Sequence, residues 1–125
     1  MTGVQTCALP ICSYGEWTKK GGITRIDPGA KQPRSLAWAD AEFSGLMKAK
    51  SADVYLFRRG TWADFPDFHV ANADLAGAAK VTTANPQQKE FGWTSGAKLI
   101  DYVSDKGDKL QGALYLPAKI GRAHV

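Results

Sequence analysis

Away from its two ends this 125-residue chain has one histidine, His69, between Phe68 and Val70, and no acid or nucleophile stands at a spacing that would make it a general base. Its place in an apolar run predicts a structural histidine. A serine nucleophile needs a strained strand-to-helix turn, carried by Gly-x-Ser-x-Gly. Ser44-Gly45 and Ser95-Gly96 lack that frame. A metal centre needs several convergent ligands, and one histidine with dispersed carboxylates does not supply them. Asp64, Asp67 and Asp74 are spaced for turns, because the glycine and terminal glutamate of a calcium loop have no counterpart here. Gly21-Gly22 and Gly92 form no phosphate-cradling loop. Arg58-Arg59 has the chemistry to hold a peptide carboxylate, but charge on a strand edge has the simpler use of discouraging edge-to-edge pairing. The expected set of catalytic, cofactor-binding and metal-ligating residues is therefore empty.

The elements that would position such residues read as short strands. Ile23-Thr24-Arg25-Ile26 alternates apolar with polar, and Asp27-Pro28-Gly29 is a turn. Ser35 to Ala41, with Leu36 and Trp38 on alternate positions, predicts a second strand. In Ala41 to Lys50, Phe43, Leu46 and Met47 fall at i, i+3 and i+4, which suits a helical turn, while Gly45 leaves a structured loop open. Asp53 to Arg58 is the strongest strand, and its continuous apolar run predicts burial on both faces. Pro66 to Ala71 and Ala79 to Thr83 follow, the latter ended by Asn85-Pro86. Short strands, aromatic residues and turn chemistry between them predict an all-β fold, a sandwich or a blade-built propeller.

Composition sets bounds. The hydrophobic share of 44% and charged share of 22% suit one ordinary globular domain. No run approaches membrane-spanning length. The net charge of +4 comes from scattered residues, paired only at Lys19-Lys20 and Arg58-Arg59. Without a basic stripe interleaved with aromatics, no nucleic-acid partner is expected.

The ends carry a different signal. Met1 to Ile11 is the translation, from a GTG start, of a common short-read sequencing adapter, and the leftover base begins a cysteine codon, as Cys12 requires. Ile120 to Val125 is the same adapter on the other strand, with leading bases that complete the codon of Lys119. Residues 1–12 and 120–125 are therefore expected to be adapter-derived and are set aside for fold reasoning. Cys7, Cys12 and His124 go with them, so neither a disulfide nor a redox compartment is inferred. The charge falls to about +3 once Arg122 is excluded. The informative chain, Ser13 to Ala118, is expected to be an internal piece of a longer gene, with periplasmic and cytoplasmic locations both open.

The stretch that says most about function is Lys98 to Pro117. Leu99, Tyr102 and Val103 lead into Asp105-Lys106-Gly107-Asp108, and Leu110, Ala113, Leu114, Tyr115 and Leu116 follow. This is a hairpin signature, with Gly107 free to take positive φ and Asp105 placed to bond the turn backbone. Asp101, Tyr102, Ser104, Asp105, Gly107, Leu110, Gly112, Leu116, Pro117 and Ala118 resemble the start of the hydrolase domain in the prolyl oligopeptidase (dipeptidyl-peptidase) family of serine peptidases. Upstream, Asp53 to Phe57, Phe65-Pro66-Asp67, Leu75, Lys80-Val81-Thr82, Asn85-Pro86-Gln87-Gln88 and Trp93 resemble the last propeller blades of the same family.

The resemblance implies a mainly β fold: the C-terminal part of a β-propeller over 13–97, then the first hairpin of an α/β-hydrolase domain over 98–119. It implies a peptide substrate for the intact protein and hydrolysis through an acyl-enzyme, with no metal or organic cofactor. The family's Ser, Asp and His lie farther along the hydrolase domain, so this polypeptide is expected to be catalytically inactive. The alternatives are a non-catalytic propeller or sandwich used for binding and, more distantly, an ester hydrolase of the same fold.

Overall fold

A computed structural model describes residues 9–94 and 96–117. Cys7, Ser95, Ala118, Lys119, His124 and most of the residues assigned to the adapter lie outside that range. The described chain is antiparallel β with a single short 3₁₀ helix, Pro86–Glu90. It forms three sheets. The first is a meander of β1 (Leu9–Tyr14), β2 (Gly21–Ile26) and β3 (Arg34–Ala39). The second is a four-stranded meander of β4 (Glu42–Lys48), β5 (Val54–Gly60), β6 (Asp67–Asn72) and β7 (Ala79–Lys80). The third is the hairpin β8 (Ala97–Val103) and β9 (Lys109–Tyr115).

The core lies between the first two sheets. Ile23 of β2 is fully buried and clusters with Tyr55, Phe57, Ala71 and Leu75, against which Leu36, Ala37, Phe43, Leu46 and Ala73 pack. Leu75 takes left-handed backbone (φ 57) in the turn after β6, where Asn72 Oδ1 accepts from the amides of Asp74 and Ala76. That conformation is costly for a leucine, and burying its side chain offsets the cost. Arg25 joins the two sheets, reaching Asp27 at 3.0 Å and Asp74 at 3.4 Å.

The expected mainly antiparallel β fold is present, and four of the local expectations are corrected. Ala41 to Lys50 is neither helical turn nor loop but β4. Its register shifts between Ser44 and Met47, and Gly45 there has φ 62. A bulge adds one residue to a strand, so side chains three apart come to the same face. Phe43 and Leu46 both pack on the core for that reason. The i, i+3 spacing was a bulge, not a helix.

The second correction concerns β5, which is buried mainly on one face: Tyr55 and Phe57 are buried, Leu56 half-buried, Val54 and Arg58 exposed. Third, the strand expected over Ala79 to Thr83 shrinks to Ala79–Lys80, since Thr82 and Ala84 turn inward to Asp67. Asn85-Pro86, expected to end the strand, lies past an end already made at Lys80, and Pro86 instead opens the 3₁₀ helix, where its missing N–H costs nothing.

The fourth is the hairpin turn. Ser104, not Asp105, organises it: its Oγ accepts from the amides of Lys106 and Asp108. Gly107 does take positive φ, at 88°. A β-branched side chain in left-handed backbone costs about 1–2 kcal/mol. Gly107→Val is therefore expected to speed amide exchange along the β8–β9 ladder while β5 and β6 keep their protection. Unchanged exchange in the hairpin would show that the turn does not hold it.

Leu9 to Cys12, assigned above to the adapter, are paired with β2 from Leu9↔Ile26 to Cys12↔Ile23. An extended segment at a sheet edge gains ladder hydrogen bonds whatever its origin.

Candidate functional site

Between β5 and the hairpin the side chains of residues 61–93 do specific work, and the hairpin touches them through Trp62 and Tyr115. Asp67, the first residue of β6, is 3% exposed. Its carboxylate accepts from Thr82 Oγ1 at 2.7 Å and from the Ala84 amide at 2.9 Å, and Lys80 Nζ lies 2.8 Å away. Thr82 Oγ1 in turn accepts from the Phe68 amide at 2.9 Å. The hydrogen bond from Lys80, then those from Thr82 and the Ala84 backbone, hold the Asp67 carboxyl down at about 2, below the usual 3.8. Hydrogen bonds to the charged form favour it, and here they outweigh desolvation.

A second clamp lies one turn on. Gln88, in the 3₁₀ helix, accepts from the Phe65 amide at 2.8 Å and donates to the Ala63 carbonyl at 2.6 Å. Trp93 Nε1 donates to the Gln88 carbonyl at 2.8 Å. Residues 80–93 thus form a strap tied back to the first residue of β6 by Lys80, Thr82 and Ala84 and to the β5–β6 connection by Gln88. The strap leads into the hairpin, where Tyr115 packs on Trp62 with centroids 5.3 Å apart. On the hairpin itself, Gln111 donates to Asp101 at 2.8 Å and to the Trp17 carbonyl at 2.9 Å.

The surface carries two open grooves. One, of about 560 Å³, runs between the ends of the first two sheets and is lined by Tyr14, Gly21, Phe43, Gly60 and Trp62 with the carboxylates of Asp40 and Glu42. The other, of about 680 Å³, separates Trp17 and Thr18 from Tyr102, Lys109 and Leu110 of the hairpin. The hairpin is apolar and exposed on both faces: Leu99, Ile100, Tyr102, Val103, Leu110, Leu114 and Tyr115 all remain open to solvent.

The residues weighed for chemistry are dispersed. His69 stacks on Phe57 at 5.7 Å with an interplanar angle of 16°, and its Nδ1 lies 3.1 Å from the Asp67 carbonyl, a packing role. Ser44 adjoins the β4 bulge. Asp64 closes a turn with Thr61, and Asp74 pairs with Arg25 and Arg34. Arg58 is exposed and Arg59 half-buried on β5. Cys12 is an exposed free thiol. Among the described residues no three His, Cys, Asp or Glu side chains converge as metal ligands, and no helix is long and apolar enough to cross a membrane.

Reading the residues one at a time missed Asp67 as an anchor and Gln88 as a clamp. The signal was present in their company: Phe65-Pro66-Asp67, Lys80-Val81-Thr82, Asn85-Pro86-Gln87-Gln88 and Trp93, noted above only as an ordered series, make one hydrogen-bonded unit. Comparison with family models, with curated proteins and with solved structures finds no match to this chain.

Proposed function

We propose that this chain is the junction between a β-propeller and an α/β-hydrolase domain in a serine peptidase of the prolyl oligopeptidase family, and that the chain itself is inactive. The observation that carries the reading is the strap. Phe65, Asp67, Lys80, Thr82, Gln88 and Trp93, all among the residues whose order suggested the family, are tied together by hydrogen bonds and an ion pair that hold residues 80–93 to β6 and the β5–β6 connection. A four-stranded antiparallel meander is the form of a propeller blade, and the second sheet has it. The hairpin supports the same reading, because two strands apolar on both faces need a further sheet to be stable.

In the intact protein the hairpin would open the hydrolase sheet. The strap would set that domain against the last blade, and the propeller would screen access to the serine and favour short peptides. The chemistry would be attack by a serine activated by histidine, with backbone N–H groups stabilising the oxyanion.

Sequencing the source DNA across both ends of the reading frame tests this. The expected frame continues past Ala118 through a hydrophobic strand to Gly-x-Ser-x-Gly, then an Asp and a His. Further blade-like repeats in place of that motif would overturn the reading in favour of a non-catalytic binding propeller.

A further inference from the structure

β1 holds its place almost entirely through its main chain. All six of its residues pair with β2, yet none of Pro10 to Tyr14 belongs to the core. Ile11 is 50% exposed, Tyr14 is 66% exposed and Cys12 is exposed. The one side-chain hydrogen bond between the two strands joins Ser13 Oγ to Thr24 Oγ1 at 2.9 Å. β2 is the opposite case: Gly21, Gly22 and Ile23 are buried, so its outward N–H and C=O groups need a neighbour. Gly21 and Gly22 have no side chains to hold that neighbour off, and a Cβ on Gly22 would press on Trp38 and the Ala37 carbonyl.

We propose that the outer edge of β2 is a strand-acceptor surface that takes an extended, uncharged peptide segment of six residues, antiparallel, by main-chain hydrogen bonding and with little regard to side chains. This is β-augmentation, in which ladder bonds give the affinity and side-chain pockets give whatever specificity there is. The edge offers little for side-chain specificity. Leu9 to Tyr14 carries no charge, and Arg25, the one charged residue of β2, is already ion-paired with Asp27 and Asp74. On the adapter reading, most of β1 was never selected to fill this place, as a main-chain acceptor would allow. The inference concerns the first sheet alone and stands or falls separately from the peptidase proposal.

The test uses the full chain with Ile11→Pro and Cys12→Pro together. Successive residues of a strand point their N–H groups to opposite sides, so one of the two prolines must remove a donor aimed at β2. Amide exchange at whichever of Ile23, Thr24 and Arg25 aim their N–H at β1 is expected to rise at least tenfold, while those aimed at β3 keep their protection. A peptide with the sequence of residues 9–14 should restore protection. A second peptide carrying Ile11→Thr, Cys12→Val and Tyr14→Thr should do so with affinity within about tenfold, since cross-strand pairs are worth about 0.2–1 kcal/mol each and the replacements are themselves strand formers. Of two peptides N-methylated on odd or on even positions, one should fail.

Failure of the side-chain-exchanged peptide where the parent peptide binds would overturn the proposal, as would binding by both N-methylated forms. Protection that returns with rising protein concentration and no peptide would assign the edge to a second copy instead. A parallel measurement does not depend on the proline variant folding. The triple exchange Ile11→Thr, Cys12→Val and Tyr14→Thr, made in the otherwise unaltered chain, should leave exchange at the β2 amides within about tenfold, and a rise of several hundredfold would also overturn the proposal.

Discussion

Phe57→Ala is expected to abolish cooperative unfolding of the first two sheets. Phe57 is 2% exposed, 6.1 Å from Phe43 and stacked 5.7 Å from His69, at the centre of the core. Truncating a buried phenylalanine costs about 3–5 kcal/mol, from lost transfer energy plus the cavity left behind. Small domains hold only about 5–15 kcal/mol in all. The buried apolar set here is Ile23, Tyr55, Phe57, Ala71 and Leu75, so little else can compensate. A melt followed by near-ultraviolet circular dichroism should lose its sigmoid in Phe57→Ala and keep it, at a lower midpoint, in Phe57→Leu. A Phe57→Ala midpoint within about 2 °C of the parent would place the core elsewhere, because 1 kcal/mol moves a domain of this size by about 4–8 °C.

The hairpin should respond differently. Its ladder runs only between β8 and β9, and its links to the rest are the Trp62–Tyr115 contact and the Gln111 bond to Trp17. Its stability is therefore local, and proteins open region by region according to such local contacts.

The elements legible in the sequence were those whose pattern is local. Alternation in Ile23 to Ile26, the aromatic run in Val54 to Phe57 and the Gly107 turn each carry a signal within a few residues, and each became the expected element. β4 was misread because a bulge borrows the three-residue spacing of a helix, and only the partner strand shows which spacing is meant. One-sided burial of β5 was illegible for a related reason. Which face a strand buries depends on what packs there, and the first sheet covers only the Tyr55 and Phe57 face. The strap was harder still. Asp67 and Thr82 are fifteen residues apart, and nothing in Asp67's immediate surroundings distinguishes a turn aspartate from a buried anchor.

That anchor gives the second large expected effect. The folded state holds the Asp67 carboxyl at about 2 against an ordinary 3.8. Between those values the unfolded chain binds a proton that the folded chain does not, so stability rises with pH across that window. The contribution is fully present above about pH 4 and is lost as pH falls toward 2, through the folded-state value. Asp67→Asn keeps the shape but removes the charge that Lys80, Thr82 and the Ala84 amide address. The gap in urea midpoint between the parent and Asp67→Asn should be widest above pH 4 and should narrow steadily toward pH 2, where the parent's own carboxyl becomes neutral. Other carboxylates titrate in both proteins alike and cancel in the difference. Native-state exchange should place the loss on the strap: amides of Phe68, Val81 and Ala84 should open in Asp67→Asn at pH 6 while Tyr55 to Phe57 stay closed. A gap that does not vary with pH would mean that the anchor works by shape alone. Uniform opening of the whole sheet would mean that strap and core unfold as one unit, and that the strap does not move independently of the second sheet.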